Sequence, residues 1–397
     1  MFQKISLFIF SVISAFASFA QIAVKADTVY TMATAPIVNG VVLIKNGKIE
    51  NVGANLSVPS GYTVYSAKTV TPGLIDVRSS VGLSGSYNIP ADQDQLEKSS
   101  PIQPELRAID AYNPEDKLVE YLRSNGITTL HTGHGVGSLA SGQTMVVKTK
   151  KGLVDDVMVD PLVMVAMTLG PSVSANYPSP GNRSKQMAML RTELLKAQGQ
   201  AKANAKDTTK GVELKQQIFQ QLLSGEVKAL ILANTSAEIM SAIRLAKEFN
   251  LKLVIEGGAE AYRLIDQIKA SKAELIVHAT MARAGGETIN MTMENAAILH
   301  RAGIPVSIES GFESYVPKSR VILFEAAIAM VHGLPFHEAL KAITINPAKL
   351  LGIDNRVGTI EKGKDADVVL FNGDPFEYST KVCIVIIDGK VEVNQCK

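Results

Sequence analysis

The apolar positions change period along the chain, and the change divides it into parts of different character. Between about Ala26 and Thr71 they fall in short β-like runs. Val41-Val42-Leu43-Ile44 is an apolar strand, Asn46-Gly47 a hairpin turn, and Lys48-Ile49-Glu50-Asn51-Val52 an alternating partner. Asp367-Val368-Val369-Leu370-Phe371 and the stretch 382–393 have the same character at the other end. Between these ends, strand and helix patterns alternate. Gly126-Ile127-Thr128-Thr129-Leu130 follows a helix starting near Pro114, and the strand 228–233 leads to Thr235 and Glu238, which form a capping box. The box opens a helix whose Ile239, Ala242, Ile243, Ala246 and Phe249 share one stripe, and Asn250 ends it before a strand at 251–255. Leu275-Ile276-Val277 and Ile304-Pro305-Val306-Ser307-Ile308 continue the series, with helices expected near 292–301, 319–332 and 335–345. Such alternation predicts a parallel sheet with right-handed crossovers. Periodicity alone leaves a closed barrel and an open sheet both standing.

Two stretches break this rhythm. Residues 84–103, with Pro90 and Pro101, form a long connection expected to cover the C-terminal mouth of the sheet. Residues 198–215, rich in Lys, Ala, Gln and Thr, read as a solvated surface segment. The opening residues 1–20 read as a signal peptide: Lys4, then an uncharged apolar run from Ile5 to Phe19, then Ser18-Phe19-Ala20 before Gln21. No later run reaches the ~18 apolar residues of a membrane span. The expectation is an exported protein, periplasmic or secreted.

The composition, 46% hydrophobic and 20% charged, is that of a core-building chain. A formal net charge of +2 gives no electrostatic argument for nucleic acid or an anionic membrane. Cys383 and Cys396 are the only cysteines, and they flank a hairpin with Asp388-Gly389 at its turn. That turn sets Cys383 nearly opposite Asn394 or Gln395. Export would allow a disulfide here; two free thiols are the other reading.

The stretch Thr71-Pro72-Gly73-Leu74-Ile75-Asp76-Val77-Arg78-Ser79-Ser80 closely resembles the first barrel strand of the amidohydrolase superfamily. There, Pro-Gly-x-Ile-Asp leads into a His-x-His pair that holds a metal. The resemblance runs on through residues 104–114, Gly126-Ile127-Thr128-Thr129 and Thr344-Ile345-Asn346-Pro347-Ala348-Lys349-Leu350-Leu351-Gly352. It then takes in Gly358, Gly363-Lys364-Asp365-Ala366-Asp367 and Gly373-Asp374-Pro375, and is nearest to the exported imidazolonepropionase-like branch. What it implies is an α/β fold: a (β/α)8 TIM-like barrel over 72–352, with a composite β-sandwich from 21–71 and 353–397. The implied family reaction is hydrolysis of non-peptide carbon–nitrogen bonds at one or two divalent metals.

The residues at the implied metal positions have the wrong chemistry. Zinc takes imidazole, thiolate and carboxylate ligands. Here Arg78 and Ser80 stand at the two first-strand histidine positions, and the fifth-strand histidine region reads Leu232-Ala233-Asn234. Gly257, after Glu256, stands at the sixth-strand ligand, Gly311 falls near the last-strand Asp, and 171–174 offers neither Glu nor Lys. Arg78, Ser80, Asn234, Glu256 and Glu309 are the candidate pocket residues, with no catalytic residue assigned and no cofactor expected. An inward Arg78 needs a partner, and Glu256 and Glu309 are the candidates. A structural ion pair is favoured over an Arg78 left free for a small anionic ligand. The alternative is a relocated zinc site from His131, His134 and His278, all at strand ends. His300, His332 and His337 fall in expected helices and read as ordinary helix residues.

These readings converge on a catalytically degenerate binding or partner protein, assembled with itself or with an active relative. The competing reading is an active hydrolase of cyclic amide or peptide-derived substrates, using the relocated metal or none.

Overall fold

Pro72-Gly73 is the seam of the molecule. The computed structural model describes residues 21–204, 211, 213–278, 284–313, 316–317 and 321–396; the expected leader at 1–20 lies outside them. Upstream of the seam run β1 (Ile22–Val29), β2 (Ile37–Lys45), β3 (Lys48–Ala54) and β4 (Thr63–Pro72). Exposed and half-buried positions fill the first half of β4, while its last residues, from Thr69 to Pro72, are all buried. The strand thus leaves a solvated sheet and enters the core. Gly73 continues the chain into β5 (Leu74–Ser79), and its amide donates to Asp367 O at 2.9 Å.

The barrel sheet takes β5, β6 (Ile127–Gly133), β7 (Gly142–Lys148), β8 (Met158–Thr168), β9 (Lys228–Ala233), β10 (Leu253–Gly257), β11 (Glu274–Val277) and β12 (Val306–Ile308) in sequence order. Neighbours are parallel except at β7, which is antiparallel to both β6 and β8. The fold is therefore the expected TIM-like barrel with one reversed strand. Only residues 134–141 join β6 to β7, too few for a parallel crossover of a dozen or more. Closure is indirect: Ile75 N donates to Ile343 O and Ile308 N to Ala342 O, so one segment bridges β5 and β12. That bridge splits the helix expected at 335–345 into Phe336–Lys341 and Ile345–Leu350. A short antiparallel pair, β13 (Phe312–Glu313) and β14 (Val316–Pro317), follows β12.

The chain ends with β15 (Val368–Phe371), β16 (Val382–Ile387) and β17 (Lys390–Asn394). With β1–β4 they form one seven-stranded sheet in the order β17-β16-β15-β4-β1-β2-β3. The sandwich expected from the two β-rich ends is thus, in its hydrogen bonding, a single continuous sheet. Val24, Ile44, Val70, Leu370 and Ile386 form its apolar cluster, apart from the barrel core around Leu74, Ile127, Leu230, Ile255 and Ile276. Each such side chain contributes roughly 1.5–3 kcal/mol by leaving water.

Polar staples tie these bodies together. Buried Lys148, at the end of β7, places Nζ 2.5 Å from Asp367 Oδ2 and 3.2 Å from both Asp365 and Asp388. Burial alone would lower the Lys148 pKa, but Asp367, Asp388 and Asp365 together hold it above the ordinary lysine value. Cys383 and Cys396 are joined in a disulfide, with Cα atoms 4.7 Å apart. The register explains it: Ile384 faces Asn394, and Gln395 N donates to Cys383 O, so Cys396 lies one residue beyond that bond.

The segment read as solvated at 198–215 is helical in its first part, because the helix Arg183–Asn204 runs into it. The long connection 84–103 reaches the end of β6, where Gly135 N donates to Gln95 O at 2.6 Å.

Candidate functional site

Every residue of β5 is buried, and alternation puts Asp76 and Arg78 on one face. That face looks into the barrel near its C-terminal mouth, where parallel α/β folds place their chemistry. Arg78 is 6% exposed, and its guanidinium spends its donors within the protein. Nε donates to Glu256 Oε2 at 3.0 Å, Nη1 to Ser79 O at 2.9 Å, and Nη2 to His134 O at 2.7 Å. Glu256 comes from β10, across the barrel, so the pair spans the mouth.

Asp76 secures the same strand. Its Oδ2 accepts from Ser310 Oγ at 2.8 Å and its Oδ1 from Arg78 N at 3.3 Å, linking β5 to the residue pair after β12. Sequence reasoning quoted Asp76 only as part of a motif and passed over Ser310. Their spacing from Arg78 and Glu309 is the signal that would have found them.

Glu309 stands on the same side. Burial, then the neighbouring Glu256 carboxylate, push its carboxyl well above the usual range, against the pull of Arg78. Of the two candidate partners, Glu256 is the one hydrogen-bonded to Arg78, and Glu309 is held toward its neutral form. Ser80 does not join this group; its Oγ lies 3.3 Å from Ser84 Oγ.

Asn234 follows β9 and is buried, with its Oδ1 lacking a partner among the described residues. Its amide donates to Glu238 Oε2, part of the capping box that opens the helix Ser236–Phe249. Beside it, Gly257 has φ +84°, a left-handed conformation that side chains strain to adopt. A Cβ there would come 2.5 Å from Asn234 Oδ1. The backbone at 257 is therefore shaped for glycine, and a histidine ligand would need both strain and a displaced Asn234.

The three strand-end histidines do not form a ligand set. His131 is enclosed with both ring nitrogens engaged, Nδ1 with Val77 O and Nε2 with Thr144 Oγ1, each at 2.6 Å. Burial lowers its pKa to about 3. His134 Nδ1 lies 3.2 Å from Gln143 O, and burial lowers its pKa too. His278 follows β11; burial lowers it to about 4, and its Nε2 has no partner among the described residues. Among the described residues no cluster of three His, Cys, Asp or Glu side chains is placed to hold a metal. The zinc that the barrel type implies does not fit this mouth: a guanidinium sits where a lone pair is needed, and Gly257 has no room for one.

A model of the amidohydrolase family matches residues 320–391. The crystal structure of an amidohydrolase from Thermotoga maritima superposes with a TM-score of 0.89 at 28% identity, over 94% of this chain and all of that one. The matched segment and this superposition support the amidohydrolase superfamily. Amidohydrolase tasK of Hapsidospora irregularis is 23% identical over 392 residues, covering 89% of this chain. An imidazolonepropionase of Thermoplasma volcanium is 34% identical over 89 residues, 21% of this chain. The chain spans 40% of the length of the former and 22% of the latter. The barrel and its end sheet have this superfamily's architecture, and Arg78 and Glu256 form a buried ion pair in the barrel mouth.

Proposed function

We propose that this amidohydrolase-superfamily chain has given up metal-dependent hydrolysis and acts as an exported binding or partner protein, with itself or an active relative. The observation that carries the reading is the Arg78–Glu256 pair, 3.0 Å long and buried where the first-strand ligand would stand. Arginine stays protonated and has no lone pair to give. Its charge is already balanced by Glu256, so that carboxylate, otherwise free to join a metal shell, is committed to the guanidinium. The disulfide and the leader pattern support export. Among the described residues, no helix is long and apolar enough to cross a membrane.

A metal-free hydrolase acting on cyclic amides or peptide-derived substrates draws on one observation of its own. Glu309, held toward its neutral form beside Glu256, has the character of a general acid. Assay of the purified protein, with and without added zinc, on cyclic amides and dipeptides separates the readings. The binding-protein reading expects no turnover in either condition. Turnover abolished by Glu309→Gln would overturn it in favour of the metal-free enzyme.

A further inference from the structure

A cleft of about 1060 Å³ lies at the other end of the barrel, where the 30–36 loop between β1 and β2 meets the residues leading into β12. Its size is that of a small-molecule site, and it sits in the seam between two structural bodies, where such sites concentrate. Ile304, Val306 and Leu334 give it a buried apolar floor. The rings of Tyr30 and Phe336 line it with centroids 5.2 Å apart.

The charges along this cleft do not cancel. Lys341 Nζ is 2.8 Å from Glu338 Oε1, and His300 Nδ1 is 3.9 Å from Glu338 Oε2, so the one acidic group is already engaged. Lys349, on the exposed side of the helix Ile345–Leu350, makes no ion pair or side-chain hydrogen bond among the described residues. Lys349 also borders a second cavity of about 430 Å³, lined by Ile268, Leu275 and Leu350. An uncommitted ammonium thus stands at the junction of an aromatic cleft and an aliphatic one.

We propose that this cleft is a binding site for a small aryl carboxylate. Its ring packs against Tyr30 and Phe336, and its carboxylate is held by Lys349 with Lys341 beside it. The site is independent of the mouth, because Ile304 and Pro305 precede β12 whereas Arg78 and Glu256 lie near the opposite strand ends. It stands whether or not the mouth retains chemistry.

The test titrates naphthalene-2-carboxylate into the full protein. The chain has no Trp, so the probe's fluorescence is read without an indole background. The expected result is saturable binding, weakened at least tenfold by Lys349→Glu, at least fivefold by Phe336→Ala, and reduced by added salt. The neutral naphthalene-2-methanol should bind at least tenfold more weakly. Circular dichroism shows whether each variant remains folded, and Lys349 is exposed, so its variant should be. Absence of saturable binding to the wild type, or binding unchanged by Lys349→Glu, would overturn the proposal.

Discussion

Replacing Arg78 by methionine keeps most of the side-chain bulk and removes the charge, which isolates what the guanidinium does. The change leaves the Glu256 carboxylate, with side-chain exposure of 6%, without the cation 3.0 Å away. It also deprives the Ser79 and His134 carbonyls of donors at 2.9 and 2.7 Å. Breaking a buried pair from one side costs roughly 3–5 kcal/mol. Each buried carbonyl left without its donor adds roughly 1–3 kcal/mol unless water reaches it. The expected loss is therefore at least about 3 kcal/mol, read from urea unfolding followed by circular dichroism. The double variant Arg78→Met with Glu256→Gln should recover a large part of it, giving a coupling energy above about 2 kcal/mol. A loss below about 1 kcal/mol, or no coupling, would refute the reasoning: Arg78 would then face water and wait for a ligand.

Other perturbations probe the rest of the account. Lys148→Met removes the cation that touches Asp365, Asp367 and Asp388 at once. Lys48 and Arg356 still pair with Asp365 and Lys150 with Asp388, but buried Asp367 loses its ammonium, and stability should fall by roughly 3–5 kcal/mol in the same assay. A smaller effect than that of exposed Lys196→Met would contradict the staple. Cys396→Ser opens the loop closed by the bridge to Cys383 and should cost about 2–3 kcal/mol. Thiol titration of the denatured, unreduced wild type should find no free thiol. Burial holds His278 at about 4, below its ordinary value of 6.5, so its contribution is fully present above pH 6.5 and fades as pH falls toward 4. That shift is worth roughly 3 kcal/mol at 1.36 kcal/mol per unit. His278→Asn should flatten the fall in urea midpoint between pH 7 and pH 4; an unchanged profile would show that His278 is not the group responsible.

Local signals were legible wherever the chemistry was local. The box of Thr235 and Glu238 opens the helix Ser236–Phe249 with reciprocal bonds, and Asn250 ends it as expected, in a left-handed conformation. The inward direction of Arg78 followed from the family resemblance, whose first-strand counterpart points into the barrel. Its choice of Glu256 over Glu309 could not be read from sequence, because both sit at strand ends and only the cross-barrel distance separates them. Strand β7 was missed for a related reason: buried throughout, it shows no alternation, and its reversal is set by its neighbours. The Lys148 staple joins residues more than 200 positions apart, and burial of a lysine leaves no local mark. His131 looked like a candidate ligand at a strand end. What removed it was the pair of contacts to Val77 O and Thr144 Oγ1, which no spacing rule foretells.

On the proposed reading, Arg78 has taken the metal's place in the barrel mouth. Elemental analysis of the protein, purified without chelator from zinc-supplemented culture, tests it most directly. Well under a tenth of an equivalent of zinc per chain is expected, both in the wild type and in Arg78→His, because Gly257 and Asn234 still provide no ligand. One equivalent of tightly held zinc in the unmutated protein would contradict it.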